Sequence, residues 1–214
     1  MSASTSSPAR DAAAARRCDP VVIGSCGSNL ASLGFAFERL GVEAPVTEDP
    51  ERVRAASHVI LPGVGAARDG MARLARAGLA EVVPTLTQPV LGICLGMQIL
   101  FTASEEEDTP CLGVIPGVAR RFPRSAEHPV PHMGWNRVVL RGRSRLTNGL
   151  EDGDYAYFLH SYAVPVGEYT RATSRYGIEF SAIVEHGNFY GAQFHPERSS
   201  GLGARLLASF LALP

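Results

Sequence analysis

Pro89-Val90-Leu91-Gly92-Ile93-Cys94-Leu95-Gly96-Met97-Gln98 reads as a short apolar strand that runs without a spacer into a helix. The strand covers Pro89–Ile93, the helix runs from Leu95 to about Thr102, and a cysteine occupies the junction. Gly92 and Gly96 carry no Cβ, which allows a sharp turn and close strand–helix packing around Cys94. The helix aims its positive end and free N–H groups at the thiol, an environment that favours a thiolate and prepares a donor for an oxyanion. A buried free cysteine is also a common small hydrophobe. What separates the two readings is His195-Pro196-Glu197, about a hundred residues later. In extended backbone, residues i and i+2 point the same way, so this histidine and glutamate can lie side by side. Pro196 stiffens the pair, and Glu197 would hold His195 in one tautomer and stabilise its imidazolium. The apolar strand Tyr190–Phe194 just before them marks the pair as positioned rather than as an ordinary surface ion pair. Nucleophile, base and orienting acid are the minimum set for cysteine acyl transfer.

Strands and helices alternate on either side of this junction. Val21-Val22-Ile23 is a first strand, followed by a turn over Gly24–Ser28. Leu30, Leu33, Phe37 and Leu40 then form the stripe of an amphipathic helix closed by Gly41. Val42–Val46 reads as a Pro-interrupted edge strand. His58–Leu61 is a third strand, ended by Pro62-Gly63-Val64-Gly65, with Met71 and Leu74 on the next helix. This rhythm predicts an α/β chain: a single-domain, three-layer, open and mostly parallel twisted sheet with helices on both faces. Ligands in such sheets bind beyond the carboxyl ends of strands, so the Gly63–Gly65 loop and Cys94 should share one rim. A glycine pair there suits backbone that approaches a ligand. The Val64 and Leu95 N–H groups are candidates for an oxyanion hole, although a phosphate-binding turn or a plain tight connection fits the same four residues. Further on, Glu105–Asp108 reads as a solvated loop, and Arg120–Leu140 as a small excursion of antiparallel strands. Ile178–Val184 and Phe189–Phe194 flank His186-Gly187-Asn188 as a hairpin. Leu202, Leu206 and Phe210 mark a C-terminal helix.

The chain has 214 residues, 45% of them apolar, and a formal net charge of −1, enough for one substantial core and without a basic patch for nucleic acid. The four cysteines, Cys18, Cys26, Cys94 and Cys111, show no CxxC spacing, which speaks against a zinc or thioredoxin site and leaves neither metal nor cofactor implied. No apolar run is long enough to span a membrane, so a cytoplasmic protein is the default. Residues 1–19 are read as a disordered Ser/Ala-rich tail, with an organelle transit peptide as the other reading, and 20–214 as the folded domain.

Gly92–Gln98 (GICLGMQ), the PGVG loop and Gly191-Ala192-Gln193-Phe194-His195-Pro196-Glu197 together resemble the class I (triad) glutamine amidotransferases, in that family's order from about Val21 to the C-terminus. Pro131–Asn136 (PHMGWN) and Tyr157–Tyr162 (YFLHSY) are similar to one branch, the glutaminase subunits of imidazole glycerol phosphate synthase. The resemblance implies a flavodoxin-like core with Cys94, His195 and Glu197 as triad. It implies a pocket for L-glutamine that includes Gly63, Gly65, Gln98, His160, Ser161 and Tyr162. It further implies a heterodimer with a (β/α)₈-barrel cyclase that receives ammonia, docked through Met133, Trp135, Asn136 and Arg198, and little glutaminase activity without that partner. In the implied reaction, the partner's product is imidazole glycerol phosphate with the carboxamide ribotide AICAR, in histidine biosynthesis. Gly24–Asn29 departs from the family's usual opening loop, Arg198 stands where lysine is usual, and Ala67 where an aromatic often follows PGVG. A γ-glutamyl cysteine hydrolase, another synthase's amidotransferase, or a catalytically silent subunit of the same fold are the competing readings.

Overall fold

A computed structural model describes residues 18–24 and 30–214. Residues 25–29, which hold Cys26 and most of the opening loop read at Gly24–Ser28, and residues 1–17 of the N-terminal tail lie outside the described residues. The first half of the chain supplies β1 (Pro20–Ile23), α1 (Leu30–Glu38), β2 (Val46–Thr47), α2 (Pro50–Ala55), β3 (His58–Gly63), α3 (Ala67–Arg76), β4 (Val90–Cys94) and α4 (Leu95–Ile99). The excursion follows as β5 (Phe101–Ser104), β6 (Thr109–Pro110), β7 (Ile115–Arg121), β8 (His132–Arg137), β9 (Val139–Leu140), β10 (Tyr155–His160) and β11 (Tyr162–Ala163). The chain closes with β12 (Thr170–Tyr176), β13 (Ile178–His186), β14 (Phe189–Ala192) and α5 (Ser200–Leu211).

The main sheet has eight strands in the order β2-β1-β3-β4-β14-β13-β12-β9. Its first five are mutually parallel, and the hairpin β13–β14 begins an antiparallel margin. Strand alternation sorts the side chains into two cores, one on each face. Val22, Ile60, Leu91 and Ile93 pack with α1 and α5 through Phe37, Leu206 and Phe210. Their neighbours Val21, Val59, Leu61 and Val90 pack with Val53 of α2, Leu74 of α3 and Met97 of α4. Both faces of the parallel strands are therefore covered, the condition under which an all-apolar strand such as β4 is stable.

Three elements differ from the sequence reading. The edge strand is only Val46–Thr47, paired with Val22 and Ile23, because the proline before it cannot donate to a ladder. The helix after Cys94 stops at Ile99, and Phe101 starts a strand beside Ile115. Every residue from Leu95 to Phe101 is buried, so this segment has no polar face whose period could mark the helix end. The acidic run is a tied turn rather than free charge: Glu106 Oε2 accepts from the Ala67 N–H at the start of α3 at 2.7 Å, and Glu107 pairs with Arg68 at 3.0 Å.

Glycines let α4 press onto the ends of β3 and β4. A Cβ on Gly96 would lie 1.7 Å from the Leu61 carbonyl oxygen, and one on Gly92 would lie 2.6 Å from the Gly96 carbonyl oxygen. Backbone on both sides blocks relief by side-chain rotation. Gly96→Ala is expected to destabilise the protein by on the order of 4 kcal/mol or more, read as the shift of a urea unfolding midpoint. A midpoint within experimental error of the unaltered protein would contradict this packing.

Candidate active site

Gly63 and Cys94 are register partners on adjacent parallel strands, so the β3 and β4 loops leave the sheet side by side. At the strand–helix junction Cys94 adopts φ 54° and ψ −109°, a conformation that L-residues avoid unless the surroundings impose it. The interlocked glycines impose it here, and the thiol is turned to the wall of a cavity of about 320 Å³. Val64, Gly65, Leu95 and Gln98 line this cavity with Cys94. His160, Ser161, Tyr162, His195, Glu197 and Arg198 line much of the rest.

His195 Nδ1–H donates to Glu197 Oε1 at 2.9 Å, with both side chains largely withdrawn from solvent. Because Nδ1 is taken, the other ring nitrogen is left for Cys94. Burial alone would push the imidazolium pKa down, but hydrogen bonds to Cys94 and Glu197, and their negative charge, raise it to about 10. The backbone holds the ring in place: the His195 N–H donates to the Tyr157 carbonyl of β10 at 3.0 Å, and Ser199 Oγ donates to the His195 carbonyl at 2.7 Å. Such a site can move a proton between sulfur and imidazole without bulk water.

Two expected residues are placed differently. Gly63 is buried against α4, where a Cβ would meet Gly96 N at 2.9 Å, and it lies beside the cavity rather than in its lining. Asn136 does not share the surface of Met133 and Trp135. Alternation along β8 turns it inward, where its amide donates to His132 Nε2 at 3.3 Å and to the Arg175 carbonyl at 2.8 Å. Gln98 has both Nε2 protons committed, one to the Tyr162 carbonyl at 2.8 Å and one to Gln193 Oε1 at 3.1 Å, leaving its carbonyl oxygen for a ligand. Glu106 lines the cavity too. An acidic run carries no periodic signal, so the sequence alone does not point to it.

Behind the site, His132 stacks between Tyr176 and Phe158, 4.2 and 5.0 Å away. His160 Nδ1–H donates to the Tyr162 carbonyl at 2.8 Å, which leaves its Nε2 to accept from His132 Nδ1–H at 3.2 Å. Both rings are therefore neutral, and burial pushes their pKa values down to about 4 for His132 and about 3 for His160.

Beyond the mouth, β8 and β10 form a two-stranded ribbon that pairs Trp135 with Tyr157 and Met133 with Leu159. Met133 and Trp135 are 66% and 52% exposed, with Tyr155 and Leu159 also open to solvent. The Arg198 guanidinium lies 4.1 Å over the Tyr157 ring. Together these side chains make an uncovered apolar patch beside the cavity, a kind of surface that often serves as a contact site in proteins.

Residues 22–213 match the family described as glutamine amidotransferase class-I, and the chain belongs to that family. Within it, the chain is 54% identical over 192 residues to imidazole glycerol phosphate synthase subunit HisH 2 of Legionella pneumophila (strain Lens), covering 90% of this chain and 96% of that one. It is 47% identical to subunit HisH of Vibrio cholerae serotype O1, covering 90% and 98%. Among solved structures, the fold is similar to a glutamine amidotransferase at TM-score 0.69 and 22% identity, covering 89% of this chain and 96% of that one. It is also similar to a glutamine amidotransferase from Thermotoga maritima at TM-score 0.62 and 17% identity, covering 91% and 83%.

The buried neutral histidines set an acid-side stability change. Burial lowers the pKa of His58, His132 and His160 in the folded state. The unfolded chain thus takes up protons below about pH 6.5 that the native state refuses until the pH nears their lowered values. The contribution of these three groups is full above that pH and falls as the pH drops, while His195, protonated in the native state, works the other way and offsets part of the loss. Between pH 7 and 5, before carboxylates titrate, the net unfolding free energy should fall by about 2–4 kcal/mol, measured by urea titration at each pH. A flat profile over that window would contradict the neutral pair.

Proposed function

We propose that the chain is the glutaminase subunit of imidazole glycerol phosphate synthase, hydrolysing L-glutamine to glutamate and ammonia for a cyclase partner. The observation that carries this reading is the positive-φ Cys94 at a helix start, on the wall of an amino-acid-sized cavity that also holds the His195–Glu197 pair. The high identity to HisH subunits supports the choice within the family.

In this mechanism His195 takes the Cys94 proton and the sulfur attacks the side-chain amide carbon of glutamine. The oxyanion meets the Leu95 N–H at the helix start and the Val64 N–H, worth about 3 kcal/mol per donor in comparable sites. The PGVG loop is fastened at Gly63 by packing and at Ala67 by Glu106, so only its middle can reorient, and that middle carries the Val64 N–H. His195 then protonates the departing ammonia, and water hydrolyses the thioester with His195 as base. The free carbonyl of Gln98 and the Glu106 carboxylate suit the substrate's ammonium group. Arg198 suits its carboxylate at the mouth.

The ribbon β8–β10 is the proposed dock for a (β/α)₈-barrel cyclase, with Met133 and Trp135 as anchors and Leu159 and Tyr155 extending them. No cofactor enters the reaction. The nucleophile needs a reduced thiol, which fits a cytoplasmic setting.

Cys94→Ala should lower glutamine-dependent synthesis by the assembled complex at least about 10³-fold, while synthesis from added ammonium salt persists. Glutamine hydrolysis surviving in that variant would end this reading. Trp135→Ala should weaken binding to the cyclase by about tenfold or more in a calorimetric titration. Unchanged affinity would move the dock elsewhere.

A further inference from the structure

We propose that Gln193 is a catalytic residue whose carboxamide N–H holds the Cys94 sulfur as an anion, and that Gln98 is the positioning residue that aims it. The proposal rests on Cys94 being the glutaminase nucleophile and adds a group that the triad alone does not supply.

Gln193 is fully buried, and its Nε2 lies 3.8 Å from Cys94 Sγ, within range for an N–H to sulfur hydrogen bond. Nothing in packing requires an amide here: methionine has a similar length and no desolvation cost, whereas a buried amide is tolerable only if its polar atoms find partners. The partners also decide which way the amide faces. The Tyr162 carbonyl can only accept, so the atom of Gln98 at 2.8 Å from it is the NH₂ group. The second proton of that NH₂ points to Gln193 at 3.1 Å, so the Gln193 atom receiving it is the carbonyl oxygen. The opposite end, facing sulfur, is then the NH₂ group. Turning Gln193 over would set two NH₂ groups against each other and put a carbonyl oxygen on the thiolate. Tyr162 is itself anchored, because its carbonyl also receives His160 Nδ1–H at 2.8 Å and its strand pairs with Arg121.

The charge state of sulfur decides what this donor contributes. As a thiol, Cys94 donates to the Leu159 carbonyl at 3.6 Å. When the S–H bond breaks, the proton passes to the His195 nitrogen not held by Glu197, and the electron pair stays on sulfur. The Leu159 oxygen then faces a negative charge, while the Gln193 hydrogen bond becomes charge-assisted and strengthens. The same sulfur pair goes on to form the bond to the substrate carbon. Gln193 keeps its protons throughout.

The test uses the full chain in complex with its cyclase partner, near neutral pH, with two probes followed at the Cys94 peptide by mass spectrometry. 6-Diazo-5-oxo-L-norleucine reports on the glutamine pocket and the nucleophile together, and iodoacetamide on the nucleophile alone. Gln193→Met should slow iodoacetamide alkylation of Cys94 about tenfold or more, with the diazo probe slowed to match and its saturating concentration changed less than about threefold. Gln193→Glu keeps an acceptor for Gln98 but presents an anion to sulfur, and should slow both reactions further. Gln98→Met, which leaves Gln193 in place without its clamp, should give a smaller loss and covers the case in which a Gln193 variant fails to fold. Alkylation of Cys94 at the unaltered rate in a folded Gln193→Met protein, or in Gln98→Met if the former does not fold, overturns the proposal. Absence of diazo-probe labelling at Cys94 in the unaltered protein would instead overturn the nucleophile assignment on which it stands.

Discussion

The contact between α4 and the ends of β3 and β4 is the constraint on which the rest of this molecule depends. Gly92 and Gly96 remove the atoms that would hold the helix away from the sheet, and Gly63 clears the neighbouring strand. The helix therefore starts immediately after β4, and the residue between them is driven to positive φ. That single forced residue is a cysteine. Its strain is sustained by backbone packing on two sides, which is how a costly dihedral persists in a folded protein. The neighbouring loop, fastened at both ends, then lies next to the thiol because its strand is in register with β4.

Much of this is legible in the chain where residue type and geometry are tightly linked. Short apolar runs broken by glycine and proline mark the parallel strands, and the hairpin around Gly187 forms with His186 paired to Phe189. The i, i+2 spacing of His195 and Glu197 anticipates the hydrogen bond between them. Legibility stops where burial is complete or sequence separation is large. The switch from helix to strand after Ile99 falls within a run, Leu95–Phe101, that is buried throughout and so gives no change of hydrophobic pattern at the boundary. Asn136 groups with Met133 and Trp135 by proximity in the chain, yet a strand turns adjacent side chains to opposite faces. Gln193 and Glu106 gain no role from the sequence alone, because an amide or a carboxylate has meaning only through partners brought from other strands.

Those partners form a continuous polar chain through the middle of the protein. Asn136 donates to His132, His132 to His160, and His160 to the Tyr162 carbonyl, which Gln98 also addresses before passing on to Gln193. Every member has a defined donor and acceptor role, because each carbonyl in the chain fixes the tautomer or amide sense of its neighbour. A fully satisfied network of this kind specifies one arrangement of the core. It also explains why two histidines can be buried close to the Cys94 thiol without carrying charge.

The ribbon strand β10 serves two masters along its length. Its side chains alternate between the exposed Tyr155 and Leu159 and the buried Ala156 and Phe158, while its carbonyls at Tyr157 and Leu159 hold the His195 backbone and face the Cys94 sulfur. One six-residue strand thus carries both an exposed apolar face and the backbone groups that lie against the imidazole segment and the sulfur, so a substitution that shifted its backbone would be felt on both sides.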